Sequence, residues 1–225
     1  MNESDRYRSL RQKLKSWPKV DLHRHLEGSL RLSTIVEIAK EEKVPLPSYD
    51  PEELRRYVQM TEEDRPDFQL FLGKFQFLRR LYSTREVIQR VTYEAVADAA
   101  RDNVVYLELR FNPLALAESQ GFPLDKVTDW VLETAQKAAG DYGITVGLII
   151  TITRDCDRAT ARRLVQLALE RRGKGIVGID LAGDEVHYSA WPFADLFQDA
   201  RRQGLGITVH AGEVTGAEKV REAVE

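Results

Sequence analysis

The chain has 225 residues, 43% hydrophobic and 31% charged, with a net charge of −3. That is enough length for one large core, and the interleaved acids and bases leave no basic field to recruit nucleic acid or an anionic membrane. The single cysteine, Cys156, excludes an internal disulfide and any cysteine-built zinc site, and it suits a reducing compartment. The N-terminal MNESDRYRSLRQKLKSW lacks the apolar stretch of a secretory signal. No run approaches the roughly 20 apolar residues of a membrane helix, so the chain is expected to be soluble and cytoplasmic.

In chain order, strand-like runs fall at 19–23, 104–112, 144–153, 176–183 and 206–212, and a segment of helical period follows each. Such alternation predicts βαβ units and a parallel sheet. The third and fourth runs are almost wholly apolar, as strands covered on both faces should be. Residues 30–103 contain helical stretches and no convincing strand, which predicts a helical insertion, with a lid, inside a single α/β domain spanning 1–225. Two architectures are compatible with this order, a doubly wound open sheet and a (β/α)8 barrel. HRHLEGSL after the first strand is not a glycine-rich phosphate turn. Polar residues do gather at the C-terminal strand ends, where barrel enzymes keep their chemistry, and three of the four histidines lie there. The reading is therefore a TIM-type barrel with only its first five β/α units present, apparently truncated at the C-terminus; the alternative is a complete five-stranded α/β protein.

Four motifs carry candidate chemistry. In KVDLHRHLEGSL, His23 and His25 sit two apart on a strand and project to one side. Imidazole suits zinc and similar divalent metals, although two hydrogen-bonded surface histidines would look the same. In TVHAGE, His210 ends a strand and Glu213 follows, so a third imidazole could join the set while the carboxylate handles protons beside an activated water; a Glu capping the next helix is the plainer reading. In GIDLAGDE, Gly183 allows a backbone N–H to approach a ligand, and Asp180, Asp184 and Glu185 put carboxylates near the same mouth. In PDFQLFLGKFQF, Phe68, Leu72 and Phe75 recur at helical spacing beside Phe71. Such a stripe is ordinarily core, or an apolar lid if the insertion covers the barrel mouth. His187 is assigned no role.

Taken together, HRHLEG (23–28), LRFNP (109–113), GIDLAGDE (178–185) and VHAGE (209–213) resemble the adenosine deaminase family of metal-dependent amidohydrolases, in the family's order and with the insertion in its place. The resemblance implies a metal-bearing (β/α)8 barrel that deaminates adenosine and deoxyadenosine, forming inosine from adenosine and releasing ammonia, in purine salvage. It implies zinc held by His23, His25 and His210, with Glu213 protonating purine N1 as a zinc-activated water adds to C6. By the same implication His25 and Gly183 contact the purine, Glu27 binds a ribose hydroxyl, and Phe71, Leu72 and Phe75 form the lid. The expected partner is a small purine nucleoside. Glu27 departs from the Asp often found at its position. A further family histidine in a GHG segment and an Asp-Asp pair, one Asp being the fourth zinc ligand, have no counterparts in these residues. The 225-residue chain is accordingly expected to hold zinc incompletely and to be inactive by itself. Adenine or aminodeoxyfutalosine deamination and a non-catalytic chain are the alternatives.

Overall fold

The computed structural model describes residues 3–225. Helix α1 (Glu3–Ser16) leads into β1 (Lys19–His25) and a 3-10 turn, followed by α2 (Leu32–Glu41), α3 (Pro51–Val58), α4 (Phe68–Arg79) and α5 (Arg85–Arg101). Then come β2 (Val104–Phe111), α6 (Pro113–Ala117), α7 (Leu124–Tyr142), β3 (Thr145–Thr153), α8 (Arg158–Glu170) and β4 (Ile176–Ala182). A second 3-10 turn precedes α9 (Ala194–Arg202), β5 (Gly206–Val209) and α10 (Ala217–Val224). Helix starts follow local chemistry: the side chains of Asp50, Asp67, Thr84, Asn112 and Asp157 accept N–H bonds at the first turns of α3, α4, α5, α6 and α8. No helix among the described residues is long and apolar enough to cross a membrane.

The strands form one parallel sheet in the order β1-β2-β3-β4-β5. That order separates the two architectures left open by the sequence. A doubly wound sheet reverses direction at a switch point; here every crossover advances one strand the same way. Five strands spaced about 4.8 Å apart would hold β1 and β5 about 19 Å from each other if flat. Yet side chains at the ends of these two strands meet at hydrogen-bonding distance, 2.8 Å between His23 and His210. The sheet therefore curls into an arc, a half-barrel of the TIM type.

Helices α5, α7, α8 and α9 form the outer layer, with α5 packed on α7 and β2 as an ordinary crossover helix. Leu107, Leu109, Ile150, Ile152 and Ile179 are fully buried. Between β1 and β2 lie α2 to α5 with no strand among them; since α5 packs on β2 and α7 as a crossover helix, the added helices are α2 to α4, a shorter span than the 30–103 read from the sequence. Two further details differ from the sequence reading. The fifth strand stops at Val209, because beyond it the chain turns into the irregular segment carrying His210 and Glu213. The short helix α6 arises from Pro113 at its first position and the Asn112 cap, signals too brief to stand out against the strand before them.

At the β4–β5 contact Gly178 pairs with Gly206, and a methyl group on Gly178 would lie 2.7 Å from the Gly206 carbonyl oxygen. Gly178→Ala should force the two strands apart and destabilise the protein by ~1–3 kcal/mol in urea denaturation. Gly140→Ala, in α7 with nothing near the added carbon, should instead stabilise it by ~0.5–1 kcal/mol.

Candidate metal centre and active site

β1 delivers His23 and His25, and the turn after β5 delivers His210. Their Nε2 atoms form a triangle with edges of 3.2 Å (His23–His25), 2.8 Å (His23–His210) and 3.1 Å (His25–His210). As hydrogen bonds the triangle is frustrated: each nitrogen offers either a proton or a lone pair, so at least one edge joins like to like. A cation at the centre removes the conflict. Zinc–nitrogen bonds of 2.0–2.1 Å set between right angles and the tetrahedral angle separate ligand nitrogens by about 2.8–3.4 Å, and the observed triangle, with edges of 2.8, 3.1 and 3.2 Å, lies within that range. Among the described residues this is the one cluster of three or more such groups able to share an ion.

Electrostatics favours the ligating form. Burial, followed by the positive neighbours His210 and Arg110, holds His25 at about 4. His23 is lowered for the same reasons, so both imidazoles keep their lone pairs at neutral pH. His210 differs. Burial works against its charge, but Asp180 beside Nδ1 at 3.2 Å outweighs that and raises its pKa. Nδ1 also lies 3.3 Å from the Leu181 carbonyl, so the Asp180 carboxylate and that carbonyl together hold the ring from behind, as such acceptors do for metal-ligating histidines.

Asp180 is fully buried and accepts from Thr208 Oγ1 at 2.6 Å and Arg110 Nη1 at 3.1 Å. Arg110, itself buried, also donates to the Leu22 carbonyl beside His23 at 2.8 Å. One guanidinium on β2 therefore ties together β1, β4 and, through Asp180, the His210 ring just after β5. The sequence reading placed Asp180 at the mouth and gave Arg110 no role. The available signal was a pair of opposite charges inside otherwise apolar strands.

The histidines open onto a cavity of about 520 Å³ lined also by Glu27, Phe71, Leu72, Phe75, Gly183 and Glu213. A larger concavity of about 700 Å³, beside β5 and α9, holds none of these groups; it is the groove along a free sheet edge, and the chemistry points to the smaller one. Glu213 stands exposed on the loop after β5. Gly183 adopts φ +98°, and an added Cβ would meet atoms no closer than 3.5 Å. Glycine is required there by backbone conformation, not by lack of room.

Phe71, Leu72 and Phe75 are not core residues. In α4 only Lys74 and Leu78 are buried, and Phe71 packs edge-on against Phe75 with ring centroids 5.1 Å apart. Phe75 in turn lies 6.3 Å from the His25 ring. The stripe faces the cavity because the insertion lies over the strand ends, a relation helical period cannot reveal. Gln69 of α4 donates to Asp184 at 3.0 Å, and His187 Nδ1 lies 2.7 Å from the same oxygen. Burial works against the Asp184 charge, yet these bonds hold its pKa at about 2. Asp184 thus lines the cavity, near the mouth where the sequence reading put it, whereas Glu185 is buried away from that lining.

The sequence profile described as adenosine deaminase matches residues 18–225. The chain belongs to the adenosine deaminase family. It is 38% identical over 210 residues to an adenosine deaminase of Clostridium botulinum, covering 93% of this chain and 63% of that one. Among solved structures, a Burkholderia ambifaria amidohydrolase with bound Zn superposes with a TM-score of 0.83 at 28% identity, covering 96% of this chain and 58% of that one. An adenine deaminase of Arthrobacter aurescens gives 0.80 at 29% identity, with 92% and 62% covered. The chain thus spans somewhat less than two thirds of the length of these relatives, and in that span its own three histidines meet in one cavity.

Glu27 yields a pH prediction. It is 6% exposed, and burial raises its carboxyl from 4.5 to about 7 although the Asn112 N–H donates to it at 2.6 Å. The folded form keeps its proton to higher pH than the unfolded form. The penalty for the buried charge is therefore absent below pH 4.5, grows between 4.5 and about 7, and is complete above, amounting to at most ~3 kcal/mol. Glu27→Gln, which can still accept from Asn112, should stabilise the metal-free protein by ~1–3 kcal/mol above pH 7 and give no gain at pH 4. Urea midpoints across pH test this, since the histidine titrations are common to both proteins and cancel.

Proposed function

We propose that the protein catalyses the zinc-dependent hydrolytic deamination of adenosine and deoxyadenosine, as a cytoplasmic enzyme of purine salvage. The observation that carries this is the convergence of three imidazole Nε2 atoms in a cavity that also holds Glu213 and the aromatic side of α4. His23, His25 and His210 would hold the metal. Zinc bound there would supply a water acidic enough to act as nucleophile near neutral pH. Glu213 would protonate purine N1, making C6 electrophilic; of the two protons of the water that adds at C6, one would leave with ammonia and the other would restore Glu213. His25 would contact the purine from the histidine side. Phe71, Leu72 and Phe75 offer an apolar cover for the planar base, and Gly183 lines the same space, where its N–H would contact the purine.

Two features bear on the substrate. Glu27, Asp155, Asp184 and Glu213 line the cavity, against Arg79 as the one Lys or Arg among its described lining residues. Arg79 is already paired with Glu118 at 3.2 Å. An acidic wall with its cation engaged disfavours a phosphate monoester and suits an uncharged nucleoside. The buried Glu27 carboxyl has one oxygen on Asn112, and a ribose hydroxyl is a natural partner for the rest of the group. Free adenine would leave that polar group unpaired, the kind of mismatch that discriminates strongly between substrates.

The family resemblance calls for a fourth protein ligand and a further histidine that these residues do not contain. We therefore read residues 1–225 alone as a zinc and nucleoside binder without turnover. As purified, this chain should hold less than one equivalent of zinc. Titrated zinc should bind, and His210→Ala should abolish that binding in a calorimetric or cobalt-substitution titration. Joined after Glu225 to the remaining third of the Clostridium botulinum relative, it should release ammonia from adenosine and deoxyadenosine and little from adenine or AMP. Glu213→Gln in that form should lower kcat by about 10²–10⁴-fold. A clear preference for adenine would overturn the substrate assignment.

A further inference from the structure

Glu185 is 1% exposed, and both of its oxygens are spoken for. Oε2 accepts from the Gly212 N–H at 2.7 Å, and Oε1 accepts from the Val214 N–H at 2.7 Å and the Thr215 N–H at 3.1 Å. These three amides lie immediately on either side of Glu213. The carboxylate therefore grips the backbone that carries the proposed proton donor, from both sides, without touching the cavity, whose lining includes Gly183 and Asp184.

The segment it grips has no regular structure to hold it. β5 ends at Val209, and α10 begins at Ala217. Gly212 adopts φ +75° and has no room for a Cβ, which would lie 2.7 Å from Val220 Cγ2. That left-handed turn helps aim successive N–H groups at one point, the concave arrangement that binds anions. On the other side of the turn, the buried Arg154 donates to the His210 carbonyl at 2.8 Å. A buried cation on a carbonyl and a buried anion on three amides thus fix the two ends of a short irregular loop. Glu185 keeps its charge despite burial, because the three N–H donors outweigh the desolvation and hold its pKa below the ordinary value.

We propose that Glu185 is the positioning residue for Glu213: its carboxylate clamps the peptide units flanking Glu213 and so sets where that side chain stands relative to the three-histidine centre. This rests on the deaminase reading given above. It also accounts for the nearness of LAGDE and HAGE in space: three successive residues of the first motif serve the cavity, the α4 lid and the loop of the second.

The test has two arms. In residues 1–225 themselves, Glu185→Gln keeps one acceptor oxygen but turns an NH2 toward an N–H donor. Amide exchange at Gly212, Val214 and Thr215, read by NMR, should accelerate by about 10- to 100-fold, with exchange in β3 and β4 unchanged. Unchanged exchange at those three amides would overturn the clamp. In the extended, zinc-loaded form, Glu185→Gln should lower kcat by about 10- to 100-fold with KM altered less than about threefold. In a Glu213→Gln background it should cost nothing further, since it acts through Glu213. A loss that multiplies in the double variant would overturn the positioning role and leave a general structural one. If Glu213→Gln alone had no effect, the deaminase assignment of Glu213 would fail, while the exchange arm would still decide the clamp.

Discussion

The buried pair between Arg110 and Asp180 is the interaction on which the site depends. Arg110 rises from β2 and Asp180 from β4, and their contact is a chord across the arc of the sheet. Taking both charges out of water is expensive, and such pairs are often no more stabilising than well-packed hydrophobic residues. One donor, Arg110 Nε, is buried without a partner, so this pair is not optimised for stability. Its return is positional. The guanidinium reaches the Leu22 carbonyl next to His23, and the carboxylate reaches the His210 ring. One network thereby joins β1, β2 and β4 across the arc and reaches the His210 ring.

The same economy runs through the rest of the cavity. Its floor is rigid strand ends, and its cover is α4, a helix with little burial of its own. What anchors α4 is Lys74, whose ammonium donates to the Arg56 and Gln59 carbonyls and to Asp64, together with the Gln69–Asp184 bond at the cavity mouth. Few buried apolar contacts and a small number of polar ties are the marks of a segment that opens at low free-energy cost. Strand ends carrying the three histidines thus lie under a loosely held aromatic cover.

The strands were legible because β3 and β4 are apolar runs of strand length between clear helical periods, and parallel strands covered on both faces cannot read otherwise. His23, His25, His210 and Glu213 were legible as motifs at strand ends. Glu185 was misread as a mouth carboxylate, since an acid that grips a backbone looks like any other loop acid, and the role of Asp180, inside β4, was hidden because its partners Arg110, Thr208 and His210 lie far along the chain. The aromatic stripe of α4 was ambiguous for a related reason: periodicity reports that a face is apolar, and it is silent on whether that face meets core or cavity.

By itself, the sequence determined the alternation of strands and helices, the place of the insertion, and the residue types available for metal and proton chemistry. These follow from local periodicity and from side-chain chemistry. Only the tertiary structure decided that the sheet curls in one direction, that residues 187 positions apart in the chain, His23 and His210, meet at one point, and that the Glu185 carboxylate grips the backbone around Glu213 and stays out of the cavity. Those facts depend on long-range geometry, which accumulates from strand twist and buried polar pairing and leaves no mark in any short window of sequence.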